Sequence, residues 1–127
     1  LKREENMGLL FITHDLGVVA ETAHEVVVMY AGQIVESASS EKIFQQPAHP
    51  YTEGLMASIP KFSEIKEGKE LKTIPGIVTN PTEWPKGCRF EPRCPYSREA
   101  CKTHPIKLET FESGHLSRCL FAQEIFG

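Results

Sequence analysis

Pro75, Pro81, Pro85, Pro92, Pro95 and Pro105 punctuate the last part of this chain at short intervals. Proline breaks helix interiors and cannot donate to a sheet ladder, so regular structure is expected to be scarce there. The same stretch holds all four cysteines: Cys88, Cys94, Cys101 and Cys119, separated by five, six and seventeen residues. A segment so rich in proline buries little apolar area, and a metal staple gives it a physical reason to fold.

Three chemistries compete for those thiols. Two disulfides allow three pairings, but the chain shows no charged-then-apolar leader and is expected to sit in reducing cytosol, where disulfides are rare. A zinc site usually gathers its cysteines in pairs about two to four residues apart, and no such pair exists here. An iron–sulfur cluster is larger and takes ligands scattered along irregular backbone, including Cys-Pro steps such as Cys94-Pro95. The charge pattern agrees with a buried anion. Residues 1–85 carry 7 Lys/Arg against 12 Asp/Glu, whereas residues 86–119 carry 7 against 4. Lys86, Arg89, Arg93, Arg98, Lys102 and Arg118 all lie within three residues of a cysteine. A 4Fe–4S cluster therefore comes first, zinc second and unliganded thiols third. His104 and His115 are candidate substitutes for one sulfur, but four cysteines already fill a site.

The basic excess also suits a metal-containing module that binds nucleic acid. Against that alternative, Phe90, Tyr96 and Phe111 are not spaced as a stacking platform, and the whole chain has a formal charge of −3. Nucleic acid is not expected as a partner. A cytosolic electron carrier is the third alternative.

Ahead of the cysteines the chain reads as α/β. Residues 1–8 look like the exposed end of a helix closed by Gly8. Leu9–Thr13 predicts a strand, and it runs into His14 and Asp15. The crevice beyond a strand's carboxyl end is where α/β proteins bind ligands. Asp15 reads better as the N-cap of a helix whose Leu16, Val19, Ala20 and Ala23 share one face. Val26–Tyr30 predicts a strand covered on both faces, Ala31-Gly32 a tight turn, and Gln33–Ser37 the returning arm of a hairpin. Ser39 or Ser40 caps a short helix through Phe44, ended by Pro47. Pro50 opens another helix, with Tyr51, Leu55, Met56 and Ile59 as packing surface. Residues 60–73 are charged and read as a linker or crossover. No apolar run approaches a membrane span.

Two blocks in this order resemble one family. Leu9–Glu36 (LLFITHDLGVVAETAHEVVVMYAGQIVE) resembles the C-terminal part of the ATP-binding subunit of an ABC transporter. Ala48–Pro60 with its His49-Pro50-Tyr51, Ile74-Pro75-Gly76, and Gly87–Cys101 (GCRFEPRCPYSREAC) are similar to the C-terminal extension of the oligopeptide/dipeptide importer ATPases. The resemblance implies that His14 is the switch histidine that contacts the γ-phosphate of ATP and helps hold the attacking water. It also implies ATP and Mg²⁺ as ligands of the complete subunit, and a second ATP-binding subunit as dimer partner. Transmembrane permease subunits and, indirectly, an extracytoplasmic peptide-binding protein follow, with a peripheral location on the cytoplasmic face of the membrane.

The phosphate loop G-x-x-x-x-G-K-[ST] is missing: Gly68-Lys69 is followed by Glu70, and Ser63 stands where the first glycine belongs. The signature loop and the acidic strand are missing too. The chain is therefore expected to be a C-terminal fragment of a P-loop ABC-type nucleotide-binding domain, inactive alone. Its expected parts are the end of the ATPase core (1–38), a helical segment with the His-Pro-Tyr motif (39–60), a linker (61–86) and an irregular, metal-binding, cysteine-rich extension (87–127).

Overall fold

The computed structural model describes residues 8–59, 67–68, 70 and 72–127. The helix end expected before Gly8 and most of the charged linker fall outside those residues. Helix α1 (Leu16–Thr22) starts where expected: the Asp15 carboxylate accepts from the amides of Gly17 at 3.0 Å and Val18 at 3.2 Å. A cap of this kind satisfies amides that the first helical turn leaves without partners.

Strands β1 (Glu25–Tyr30) and β2 (Gln33–Ser39) form the expected antiparallel hairpin. Its turn places Ala31 at φ 48° and Gly32 at φ 78°, the left-handed pair that matches strand twist in a two-residue connection. Helix α2 (Ser40–Gln45) is capped by the Ser39 hydroxyl, which accepts from the Lys42 amide. Helix α3 (Pro50–Ala57) begins at His49-Pro50.

Two expectations fail in the front half. Leu9–Thr13 is not a strand: it pairs with nothing among the described residues, and Leu10 and Ile12 are 88% and 91% exposed. Without a neighbour an extended segment has no ladder to join. β1 is covered on one face only, since Val28 and Tyr30 are buried while Val27 and Met29 are exposed.

The proline-rich part holds more regular structure than its composition suggested. Single 3₁₀ turns at Pro81–Glu83 and Glu91–Arg93 lead to helix α4 (Glu99–Thr103). Strands β3 (Glu109–Glu112) and β4 (His115–Ser117) follow, then helix α5 (Ala122–Phe126). β4 adds to β2, so the four strands make one antiparallel sheet in the order β1-β2-β4-β3. The fold is a small mixed α/β unit in which the chain's two ends share a sheet.

Its main core joins three segments. Tyr30 of β1, Tyr51 of α3 and Phe90 of the cysteine-bearing loop meet with ring centroids 4.7–5.5 Å apart. Val28, Val35, Ala38 and Ile43 complete the cluster. Aromatic groups in such tilted contacts add packing energy beyond their area burial.

Candidate functional site

Each cysteine but Cys101 sits at the start of a tight turn. The carbonyls of Cys88, Cys94 and Cys119 accept from the amides of Glu91, Ser97 and Ala122, three residues on. Cys101 lies in α4, and its carbonyl accepts from the Cys88 amide at 2.7 Å, which brings the first and third thiols together. Gly87 makes this possible, because a Cβ there would run into the Cys101 carbonyl.

These turns and α4 bring all four cysteines to the lining of one small cavity of about 20 Å³, bordered by apolar groups including Phe90, Ile106, Phe121 and Ile125. All four thiols are free. Among the described residues no three His, Cys, Asp or Glu side chains are gathered closely enough to hold a single metal ion. The expected compact four-cysteine metal centre is thus corrected to four half-buried sulfurs bordering a common space. The reason is geometric: three come from separate turns and the fourth from α4, with no pair on one turn.

Burial pushes the Cys94 thiol up to about 12 and the Cys119 thiol up to about 11, and raises Cys88 as well. Repulsion between the sulfurs adds to the effect. Opposing it, backbone amides face the sulfurs: Phe90 and Glu91 at Cys88, Tyr96 at Cys94, Phe121 at Cys119. Amides aimed at sulfur stabilise thiolate.

Some of the basic residues near the cysteines have structural work instead. Arg89 donates to the Ala31 carbonyl at 2.7 Å and stacks 3.6 Å over Trp84. Arg93 donates to the carbonyls of Ile74 and Pro75. Arg98 forms a two-point contact with Glu124 at 2.7 and 2.8 Å, linking the start of α4 to α5. Arg118 donates to the Ile34 and Ile106 carbonyls. Neither alternative histidine joins the sulfurs: His104 is exposed, and His115 is fully buried beside Glu36 at 2.6 Å.

His49 is the residue that sequence reasoning missed. It is 1% exposed, borders the cysteine cavity, and its Nδ1 accepts the Tyr51 amide at 3.0 Å. Burial holds its pKa down to about 3, so the ring is neutral. An imidazole directly before a helix-opening proline was the available signal. His14 lies apart from all of this, exposed, one residue before the cap of α1.

Residues 35–101, more than half the chain, match the family described as oligopeptide/dipeptide transporter, C-terminal region, and the chain belongs to that family. Its relatives carry a transport name. It is 44% identical to the dipeptide transport ATP-binding protein of Escherichia coli, over 94% of this chain and 36% of the relative. It is 48% identical to an oligopeptide transport ATP-binding protein of Bacillus subtilis, over 94% of this chain and 36% of that protein. With the Haemophilus influenzae counterpart the identity is again 48%, over 99% and 38%. The chain spans little more than a third of the length of these relatives. No described helix is long and apolar enough to cross a membrane.

Proposed function

We propose that this chain acts as the C-terminal portion of an ATP-binding subunit that powers peptide uptake by an ABC importer. What supports this reading is the similarity along nearly its whole length to dipeptide and oligopeptide transport ATP-binding proteins. In this reading His14 reaches the γ-phosphate of ATP bound with Mg²⁺. Phosphoryl transfer depends on positioning and on stabilising charge over the phosphate oxygens, which an imidazole donor at a loop edge can do. The phosphate cradle comes from the part of the relatives' length this chain does not span. The partners are a second ATP-binding subunit and membrane permeases at the cytoplasmic face, with a peptide-binding protein acting indirectly. The chain alone releases no phosphate from ATP above a His14→Ala control. Phosphate release in the wild type that His14→Ala lacks overturns the expectation that the chain is inactive alone.

In the same reading the extension of residues 87–127 is a stapled module, with Cys88, Cys94, Cys101 and Cys119 holding a 4Fe–4S cluster; zinc is the second choice. When bound, such a cluster would tie three turns and α4 together and supply one-electron redox capacity. The shared cavity with its sulfur-facing amides supports it. Anaerobically purified chain is expected to contain iron and acid-labile sulfide. Cys94→Ser and Cys101→Ser should each lose the metal and unfold at lower urea. Zinc without sulfide selects the second choice, and metal retained in both variants removes these residues from the site.

A further inference from the structure

A groove of about 610 Å³ lies between helix α3, residues 72–76 and residues 92–95, far larger than the cysteine cavity. Its walls are set by packing. A Cβ at Gly54 of α3 would stand 2.9 Å from the Ile74 side chain, so glycine lets residues 72–76 lie close along the helix. The Arg93 guanidinium then clips that segment in place through the Ile74 and Pro75 carbonyls. A groove formed before its ligand arrives binds at lower cost. Charge is divided among its walls. Glu53 stands on α3, and its Oε1 accepts from the Tyr96 hydroxyl at 3.0 Å, which fixes the carboxylate. Its Oε2 has no partner among the described residues. The other two elements contribute Lys72 and Arg93. Neither cation pairs with a carboxylate among the described residues. Arg93 gives one N–H each to Ile74, Pro75 and Tyr30, and the remaining N–H groups of its fork are open to a ligand.

We propose that this groove binds a short peptide with free termini, its ammonium against Glu53 and its carboxylate against Lys72 and the open N–H groups of Arg93. A ligand carrying both charges satisfies both sides of the groove at once, which a simple anion or cation does not. The volume lies within the range of about 300–1,000 Å³ usual for small-ligand sites. Between the charges the walls are proline and alanine, at Pro50, Ala57, Pro92 and Pro95, and they accept apolar side chains without selecting one sequence. Charge-assisted bonds at the two ends are about twice as strong as neutral ones and fix the peptide's direction. The inference rests on the groove alone and goes beyond the importer reading.

Calorimetric titration of the full chain with dialanine, trialanine and tetra-alanine tests the assignment. At least one of these should bind saturably. Its N-acetylated and C-amidated forms should each bind about tenfold more weakly, the loss expected for one charge-assisted bond. Two variants probe the protein side. Glu53→Gln removes the charge but keeps an acceptor for the Tyr96 hydroxyl, and Lys72→Met keeps an unbranched chain without the ammonium. Each should weaken binding about tenfold while its urea midpoint stays at the wild-type value. Arg93 is left intact because it holds the groove together. No saturable heat with any of the alanine peptides overturns the assignment. So do blocked peptides that bind as tightly as free ones, or a variant of either residue with unchanged affinity. All of these measurements are made without ATP, so their failure leaves the importer reading to its own phosphate-release test.

Discussion

A buried imidazole that caps a helix must stay neutral to do so, and His49 carries that cost into the pH dependence of folding. Its folded pKa of about 3 lies below the unfolded value of 6.5. Between those values the unfolded chain binds the extra proton, so stability is full above pH 6.5 and falls as pH drops toward 3. The slope from this one group reaches about 1.4 kcal/mol per pH unit. Urea midpoints of the metal-free chain measured from pH 7 to pH 4 should decline accordingly. His49→Asn retains the cap, cannot ionise in this range, and should flatten the curve. An unchanged slope would assign the acid sensitivity to other groups. At this scale the sequence was partly legible. Asp15 announced its cap because aspartate before a periodic apolar run has one dominant local use. His49 did not announce its place at the cavity wall, because cysteines about forty residues and more away along the chain leave no mark on the motif itself.

At the scale of elements, the β1–β2 turn shows how the extension holds the front half. The Arg89 guanidinium donates to the Ala31 carbonyl inside the turn and lies flat on Trp84. Gly32, at φ 78°, leaves room for both, with Arg89 and Trp84 only 3.6 and 3.9 Å from where a side chain would start. Arg89→Ala should cost about 1–2 kcal/mol from the lost hydrogen bond and cation–π contact, read as a lower urea midpoint. Arg89→Lys should recover less than half of that, since an ammonium cannot stack and donate with one flat group. The hairpin, α2 and α3 were readable because their signals are local: Ala-Gly at a turn, serine at a cap, proline at a first helical position. Leu9–Thr13 and β3–β4 were misjudged for one shared reason. Whether a short apolar or alternating run becomes a strand depends on a distant partner, which Leu9–Thr13 lacks among the described residues and which β2 gives β4.

Across the whole molecule, the two ends of the chain are fastened at a single residue. Glu36 of β2 accepts from the Ala48 amide at 2.7 Å and contacts His115 Nε2 at 2.6 Å, both fully buried. Ser117 of β4 donates to the Ala48 carbonyl at 2.6 Å. Both backbone groups of Ala48 are thus satisfied by side chains of the two central strands, and His49 follows immediately. The position of the imidazole at the cavity therefore depends on the sheet being closed. Removing either partner leaves a buried polar group without its hydrogen bond, so Glu36→Ala and His115→Ala should each cost about 1–3 kcal/mol. The double variant should cost less than the sum, with a coupling of about 1–3 kcal/mol, because the second removal orphans no further partner across that contact. Two probes test whether the fastening is global. Trp84, the chain's single tryptophan, reports on the clamp at the hairpin turn, and far-ultraviolet dichroism reports on the sheet. In urea both should fall together in the wild type and shift together in Glu36→Ala. A dichroism transition that moves while the tryptophan signal stays in place would mean that β3–β4 opens as a separate unit, and that closure of the sheet does not govern the rest.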